Sequence, residues 1–123
     1  MRGIGNGKVL VSRDVGQTNF DLPGGRLNVG EKLTNGLARE IQEELGVHIE
    51  VGRPFFVDTF VMSHSGEPHV LIVYEATVAD DAIFNLAPNE IEEVRWIGEN
   101  EIATTPMWEE YKQTLQVFFN LKK

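Results

Sequence analysis

The sequence predicts an α/β fold, an α/β/α sandwich around a mixed β-sheet. Short β-rich runs recur along the chain, and two other segments have the apolar spacing of amphipathic helices. The length of 123 residues suits one domain with a modest core, so residues 1–123 are expected to form a single domain.

The first half of the chain is expected to contribute two short strands and the first helix. Residues 1–7 are rich in glycine and predict a loop. In order, the predicted elements are a strand at 8–12, a polar turn at 13–19, a brief strand at 20–22 and a helix at 34–45. The helix has a Thr or Asn start signal, and Gly46 is placed to end it in the left-handed conformation.

The second half is expected to contribute most of the strands and the last helix. In order, the predicted elements are a strand at 47–51 leading to Pro54, strands at 55–62 and 69–78 joined by a turn at 63–68, a loop at 80–89, a strand at 92–97 and a helical turn at 100–103. Pro106 suits the first turn of the last helix. The apolar pattern that predicts this helix is Trp108, Tyr111, Leu115, Phe118 and Phe119.

The predicted helix at 34–45 has one apolar and one acidic face. At roughly 100° per residue, its apolar side chains share one arc, and they are Leu37, Ala38, Ile41 and Leu45. Its carboxylates share a neighbouring arc, and they are Glu40, Glu43 and Glu44. Carboxylates at this spacing repel one another, so we expect a cation to compensate them.

A fourth carboxylate, Glu31, precedes this helix in a Gly-flanked turn that could fold back toward the acidic face. Oxygen ligands of this kind suit a hard divalent cation, Mg²⁺ or Mn²⁺. The alternative is an acidic helix face that is simply solvated.

The complete spacing around the helix favours the metal site. It reads Gly25, five residues, Glu31, seven residues, Arg39-Glu40-Ile41, one residue, Glu43-Glu44, one residue, Gly46-Val47. This pattern resembles the signature of the Nudix hydrolases at every fixed position. Pro23-Gly24 leads into it, and residues 89–97 look like a late strand of the same family. The resemblance implies a Nudix-like α/β/α fold and Mg²⁺-dependent hydrolysis of a pyrophosphate bond, with Mn²⁺ as an alternative ion.

The resemblance also implies roles for individual residues. Glu43 and Glu44 correspond to metal ligands, and Glu40 to a ligand or to the base that orients water. Arg39 is expected to point away from Glu40 and to orient acidic residues, and Glu31 to be a structural partner. The candidates for phosphate binding are Gly24, Gly25 and Arg26, with turn formation alone as the alternative for the two glycines. Those for an additional ligand or base are Glu90 and Glu93. Solvated strand-end carboxylates are the alternative for this last pair.

The net charge of −8 argues against a nucleic-acid polymer or an anionic membrane as partner, but allows a small phosphorylated substrate that binds with a metal ion. The chain has no cysteine, no apolar signal segment and no run of about 18 apolar residues, so we expect a soluble cytoplasmic protein. Only seven residues precede the first strand, where relatives carry a further strand. A shortened N-terminal strand would expose a sheet edge, which predicts a homodimer.

The substrate is inferred by elimination. No tyrosine lies at the distance after the signature expected for diadenosine polyphosphate hydrolases, the nearest being Tyr74. Pro54 lies too near, and Pro68 too far, for the proline of ADP-ribose hydrolases. A nucleoside triphosphate or a nucleotide sugar is therefore expected. Candidates for stacking on a base, with packing as the alternative, are Phe55, Phe56, Tyr74 and Trp108.

Two other functions compete with this one. A catalytically silent module that senses nucleotide and metal would keep the fold without turnover. A two-carboxylate glycosidase is disfavoured, because clustered helix glutamates do not separate an acid from a base across a sugar.

Overall fold

The computed structural model describes residues 7–24, 30–61 and 65–123. In chain order its elements are β1 (Val9–Asp14), α1 (Leu33–Leu45), β2 (Glu50–Val61), β3 (Pro68–Thr77), β4 (Ile91–Ile97), a 3₁₀ turn (Glu99–Glu101) and α2 (Glu109–Leu121). Each α-helix has 13 residues, and within the described ranges no helix has the length and apolarity needed to cross a bilayer.

Strand β1 lies between the two helices. Val9 and Val11 belong to the same buried cluster as Phe118 of α2, whereas Leu10 belongs to a second cluster with Ile41 of α1. Because successive side chains of a strand point to opposite faces, the two helices cover opposite sides of the sheet. The predicted α/β/α sandwich is confirmed.

The strands pair in two antiparallel ladders, β1 with β4 and β2 with β3. Two isolated bridges add to the first ladder, an antiparallel one between Ser12 and Asp21 and a parallel one between Phe20 and Met107. The bridge from Phe20 supplies a parallel contact, so the strand region mixes both directions. The register of the β1–β4 ladder shifts between Arg13 and Asp14, which marks a bulge at the end of β1.

Helix α1 ends as predicted but begins differently. Gly46 has φ of +69° and its N–H donates to the carbonyl of Gln42, which is the left-handed ending expected of it. The helix begins at Leu33, with Lys32 at the N-cap and no side-chain cap, so the Thr or Asn start signal was wrong. Ile41 and Leu45 are fully buried, in agreement with the predicted apolar face.

Both prolines used as boundary signals behave differently from expectation. Pro54 lies inside β2, where the register shifts on both sides of it, so the predicted strand end there is wrong. A bulge accommodates a residue that lacks an N–H. Pro106 precedes α2, whose N-cap is Trp108, so its predicted first-turn position is also wrong. Its carbonyl instead accepts the N–H of Phe20 at 2.7 Å and ties this segment to the strand region.

The apolar pattern of the last helix is confirmed from Tyr111 onward, whereas Trp108 lies before the helix at its N-cap. Its buried side chains include Leu115, Phe118 and Phe119, and Tyr111 packs against them while partly exposed. The 3₁₀ turn begins one residue before its predicted position, and Glu101 accepts the N–H of Gly98 at 3.0 Å at its start.

Candidate functional site

The acidic face of α1 is positioned by the burial of its apolar face. With Ile41 and Leu45 in the core, Glu40 and Glu44 lie partly buried at the margin, and the Glu43 side chain is 57% exposed. The helix therefore presents its carboxylates at different depths, and Glu44 is further from water than Glu43.

Arg39 holds much of this acidic face together. Its Nε lies 2.6 Å from Glu31 Oε2 and its Nη2 3.0 Å from Glu31 Oε1, a bidentate pair. Its Nη1 donates to both oxygens of Glu43, at 3.0 and 3.1 Å. The same nitrogen lies 3.1 Å from Glu40 Oε1, so the expectation that Arg39 points away from Glu40 is wrong.

The flexibility of the arginine side chain explains that error. Neighbouring residues of a helix leave the axis in different directions, but a long side chain can fold back along the surface. The hydrogen bonds that Arg39 donates, to Glu31 above all and then to Glu43 and Glu40, raise the pKa of its guanidinium. Glu31 is thereby brought from the preceding turn to the helix.

Glu44, unlike Glu40 and Glu43, is not held by Arg39 and is surrounded by other carboxylates. Burial, followed by the charges of Glu40, Asp14, Glu90 and Glu43, raises the pKa of Glu44 to about 7 from 4.5. A carboxylate becomes harder to ionise when it loses water and gains anionic neighbours. The structure thus concentrates negative charge around Glu44, and this charge favours a bound cation.

Two of these neighbours, Asp14 and Glu90, come from outside α1. The N–H groups of Asn85 and Ala87 donate to the carbonyls of Leu45 and Glu44, both at 2.9 Å, so the segment before Glu90 is fastened to the end of α1. The N–H of Val15 donates to the Glu90 carbonyl at 2.9 Å and fastens the end of β1 to the same segment.

Asp14 is a site residue that sequence reasoning missed. It lies at the end of β1, where the bulge alters the direction of the chain. A carboxylate at a strand end beside a turn was the available signal, but such residues are commonly solvated. Its proximity to Glu44 depends on a tertiary contact that spacing does not encode.

Glu93 lies in a separate ion-pair cluster. One oxygen is 3.2 Å from Arg13 Nη2, and the other is 3.2 Å from Arg95 Nη2. The hydrogen bond from Arg13, then that from Arg95, lowers the pKa of Glu93. The Arg95 guanidinium also stacks 4.5 Å from the centre of the Phe20 ring. Glu93 is not among the carboxylates that raise the pKa of Glu44.

A cavity of about 630 Å³ lies beside the first half of α1. Its lining includes Gly36 and Leu37, which precede Glu40 by about one turn. Among the other lining residues are Asp21, Gly24, Phe55, Tyr74 and Tyr111. Gly25 and Arg26, the other predicted phosphate-binding residues, lie outside the described residues.

Of the stacking candidates, Phe55 and Tyr74 line the cavity. Phe55 also packs against Phe118, with ring centres 5.5 Å apart, so it contributes to the core as well. The lining of the cavity next to the acidic helix therefore includes two of the predicted aromatic residues.

The protein-family model for the NUDIX domain matches residues 4–118 of the chain. The chain belongs to the Nudix family. This membership confirms the resemblance drawn from the signature and the enzyme class that follows from it, the Nudix pyrophosphohydrolases.

Solved Nudix-type structures share the fold. A UDP-X diphosphatase matches with a TM-score of 0.79 and 22% identity over 98% of this chain, which spans 59% of that protein. A MutT protein from Methanosarcina mazei Go1 matches with 0.77 and 26%, over 98% of this chain and 88% of the other. An Ap4A hydrolase from C. elegans matches with 0.76 and 15%, over 93% and 85%.

The donor set on this Nudix helix is chemically suited to Mg²⁺ or Mn²⁺. All its members are carboxylates, and the charges of Glu40, Asp14, Glu90 and Glu43 add to burial in raising the pKa of Glu44. Within the described ranges, no three His, Cys, Asp or Glu side chains are already arranged to hold a metal ion. Since Arg39 holds Glu40 and Glu43, ion binding requires these partly exposed side chains to rotate.

Proposed function

We propose that the chain hydrolyses, with Mg²⁺, a pyrophosphate bond in a nucleoside diphosphate linked to another moiety. The observation that carries this proposal is the placement of Glu44. It is a partly buried carboxylate crowded by others, on a helix that also lines a cavity of the size used by small ligands.

The acidic residues and the arginine of α1 have different proposed roles. Glu43 and Glu44 are the proposed metal ligands, and Glu40 is a third ligand or the base that orients the attacking water. Arg39 is a positioning residue, since it holds Glu40 and Glu43 while Glu31 anchors it. A bound divalent ion would neutralise phosphoryl charge and make a bound water more acidic.

Residues outside the helix complete the proposed site. Glu90 is favoured over Glu93 as the additional acidic group, because Glu90 acts on Glu44 whereas Glu93 is paired with two arginines. Gly24, Gly25 and Arg26 are proposed to bind phosphate, and among them Gly24 lines the cavity.

A nucleoside triphosphate or a nucleotide sugar is the proposed substrate. The likeness to a UDP-X diphosphatase and to a MutT protein supports a substrate of this class. The aromatic lining by Phe55 and Tyr74 suits a nucleobase.

The test is phosphate release, coupled to a phosphatase or pyrophosphatase, across nucleoside triphosphates, nucleotide sugars, ADP-ribose and dinucleoside polyphosphates. We expect turnover of one group, dependent on Mg²⁺ and lost in Glu44→Gln. The matched control is Glu92→Gln, which alters an exposed carboxylate of β4. Nucleotide binding without turnover across the whole panel would favour the sensing module instead.

The remaining proposals concern partners and location. The acidic net charge supports a small-molecule substrate over a nucleic acid or a membrane surface, and the lack of cysteine supports a cytoplasmic location. A homodimer remains a proposal, and light scattering of the purified protein would test it.

A further inference from the structure

The hairpin formed by β2 and β3 has one face that is exposed to solvent. Its ladder pairs Val57 with Ile72, Thr59 with Val70, and Val61 with Pro68. Directly paired residues of an antiparallel ladder lie on the same face, and so do alternate residues along each strand. These six residues therefore share one face, which we name the hairpin face, and all six are exposed.

The hairpin face concentrates exposed apolar side chains. Within the described ranges eight large apolar side chains are exposed, and four of them lie on this face. They are Val57, Val61, Val70 and Ile72, with exposed fractions of 64, 59, 67 and 38%. The other four lie apart from one another, at Val15, Leu33, Ile83 and Leu121. Single exposed apolar residues are ordinary on a protein surface, whereas a contiguous group indicates an interaction site.

The opposite face of the hairpin is better covered. Leu71 and Val73 alternate with Val70 and Ile72 along β3, and both are partly buried. Within the described ranges, the hairpin face contributes no residue to either buried cluster. The packing of the chain on itself therefore leaves this face uncovered.

The hairpin face has no charged residue, although the chain has a net charge of −8. Asp58 lies between Val57 and Thr59 and so belongs to the opposite face. Two acidic chains repel one another, and an uncharged surface is where they can meet with the least repulsion. Faces covered by aliphatic side chains can interdigitate as two packed sheets do, so the same patch on two copies is self-complementary.

The apolar area of the hairpin face suits a weak dimer. Burying a whole aliphatic side chain removes roughly 60–120 Å² from water, so the four partly exposed ones supply on the order of 200 Å² per copy. A standard interface buries about 800 Å² per partner, a little more than half of it apolar. The hairpin face supplies roughly half of that apolar area, so we expect a dissociation constant in the micromolar range.

We propose that the hairpin face is a dimer interface, at which its aliphatic side chains pack against those of a second copy of the chain. This surface differs from the sheet edge that led us to expect a homodimer. Val70 and Ile72 also line the cavity beside α1, so the interface would border the cavity proposed for the substrate. The inference deepens the proposed homodimer and does not depend on hydrolysis.

The first test is light scattering of the unaltered protein without nucleotide or metal. The average mass should rise from that of one chain toward that of two as the concentration increases from about 1 to 100 µM. The mass of a single chain over this whole range would overturn the inference.

The second test is Val57→Glu, because Val57 is central to the hairpin face and is not among the residues that line the cavity. The variant should associate about a hundredfold or more weakly, since two like charges would meet in an apolar interface. The control Ile83→Glu adds the same charge at an exposed position outside the face and should associate normally. A dimer that is equally stable in both variants would show that another surface is used.

The third test asks whether the partner is a second copy. Val57→Lys should also be monomeric, but an equimolar mixture of Val57→Lys and Val57→Glu should form a mixed dimer, which native mass spectrometry resolves. A mixture of folded variants that stays monomeric would contradict the proposal. If variants at Val57 do not fold, the same pair of substitutions at Val61 decides, because Val61 lies on the same face.

Association and turnover are separate measurements. A monomeric protein that hydrolyses nucleotides would refute the interface and leave the proposed hydrolysis intact. An inactive protein that dimerises through the hairpin face would refute the hydrolysis and leave the interface intact.

Discussion

Replacing Glu44 with glutamine should stabilise the metal-free protein while it abolishes turnover. In the folded chain, burial and neighbouring carboxylates raise the pKa of Glu44 from 4.5 to about 7. Ionised Glu44 therefore opposes folding, and glutamine keeps nearly the same shape without a charge.

The size of the effect follows from the pKa. One pKa unit corresponds to about 1.4 kcal/mol, so the shift sets an upper bound of about 3.5 kcal/mol. Solvent screening of a carboxylate that is only partly buried reduces the expected gain to about 1–2 kcal/mol. For a chain of this length, that gain raises the unfolding midpoint by about 3–8 °C.

The sign of the pH dependence is fixed by the direction of the shift. Because the folded pKa is raised, the stability contributed by protonated Glu44 is full below 4.5 and is lost as the pH rises through about 7. Glutamine does not titrate, so the variant should exceed the unaltered protein by little at about pH 5 and by the full amount at about pH 8.5.

Urea denaturation in a chelating agent at these two pH values measures the difference. Glu92→Gln is the control, because that carboxylate is exposed on β4 and should change the stability little. A Glu44→Gln protein that is less stable than the unaltered one at the higher pH would refute the reasoning.

Three further predictions concern the same helix. Arg39→Lys should lower the free energy of unfolding, because lysine cannot reproduce the bidentate pair with Glu31. Urea denaturation should show a smaller change for the control Arg53→Lys, which alters an exposed residue of β2. Gly46→Ala should lower the free energy of unfolding by about 3 kcal/mol or more, since its Cβ would lie 2.6 Å from the backbone oxygen of Asn85. The control Gly16→Ala has φ of +83° and open space around the new Cβ, so it should cost about 1 kcal/mol. Similar losses in the two variants would contradict the clash. Millimolar Mg²⁺ should raise the thermal midpoint of the unaltered protein, chelation should reverse the rise, and no shift would count against a metal site.

The sequence predicted the acidic helix well because local rules govern it. Helical periodicity placed Ile41 and Leu45 in the core, and the backbone freedom of glycine placed the helix end at Gly46. The predicted start of α1 was wrong because Lys32 occupies the N-cap without a side-chain hydrogen bond, and composition gives no signal for such a cap.

The tertiary part of the site was less predictable. Spacing indicates which helix residues share a face, but not where a long side chain such as Arg39 turns, nor which distant carboxylate approaches Glu44. Asp14 lies at the bulge that ends β1 and acts on Glu44 through its charge, whereas Glu93 is ion-paired with Arg13 of β1 and Arg95 of β4. These outcomes depend on strand register, which a single sequence specifies weakly at a bulge.

The fastening of the segment 85–90 to the end of α1 has a consequence for protein engineering. Ile83, just before that segment, is 86% exposed, whereas the N–H groups of Asn85 and Ala87 are both committed to helix carbonyls. A reporter peptide inserted at Ile83 would project into solvent and leave both hydrogen bonds in place. The same insertion at Leu86 would separate the two anchoring residues and shift Glu90 from Glu44, so this short stretch combines a tolerant insertion point with an intolerant one.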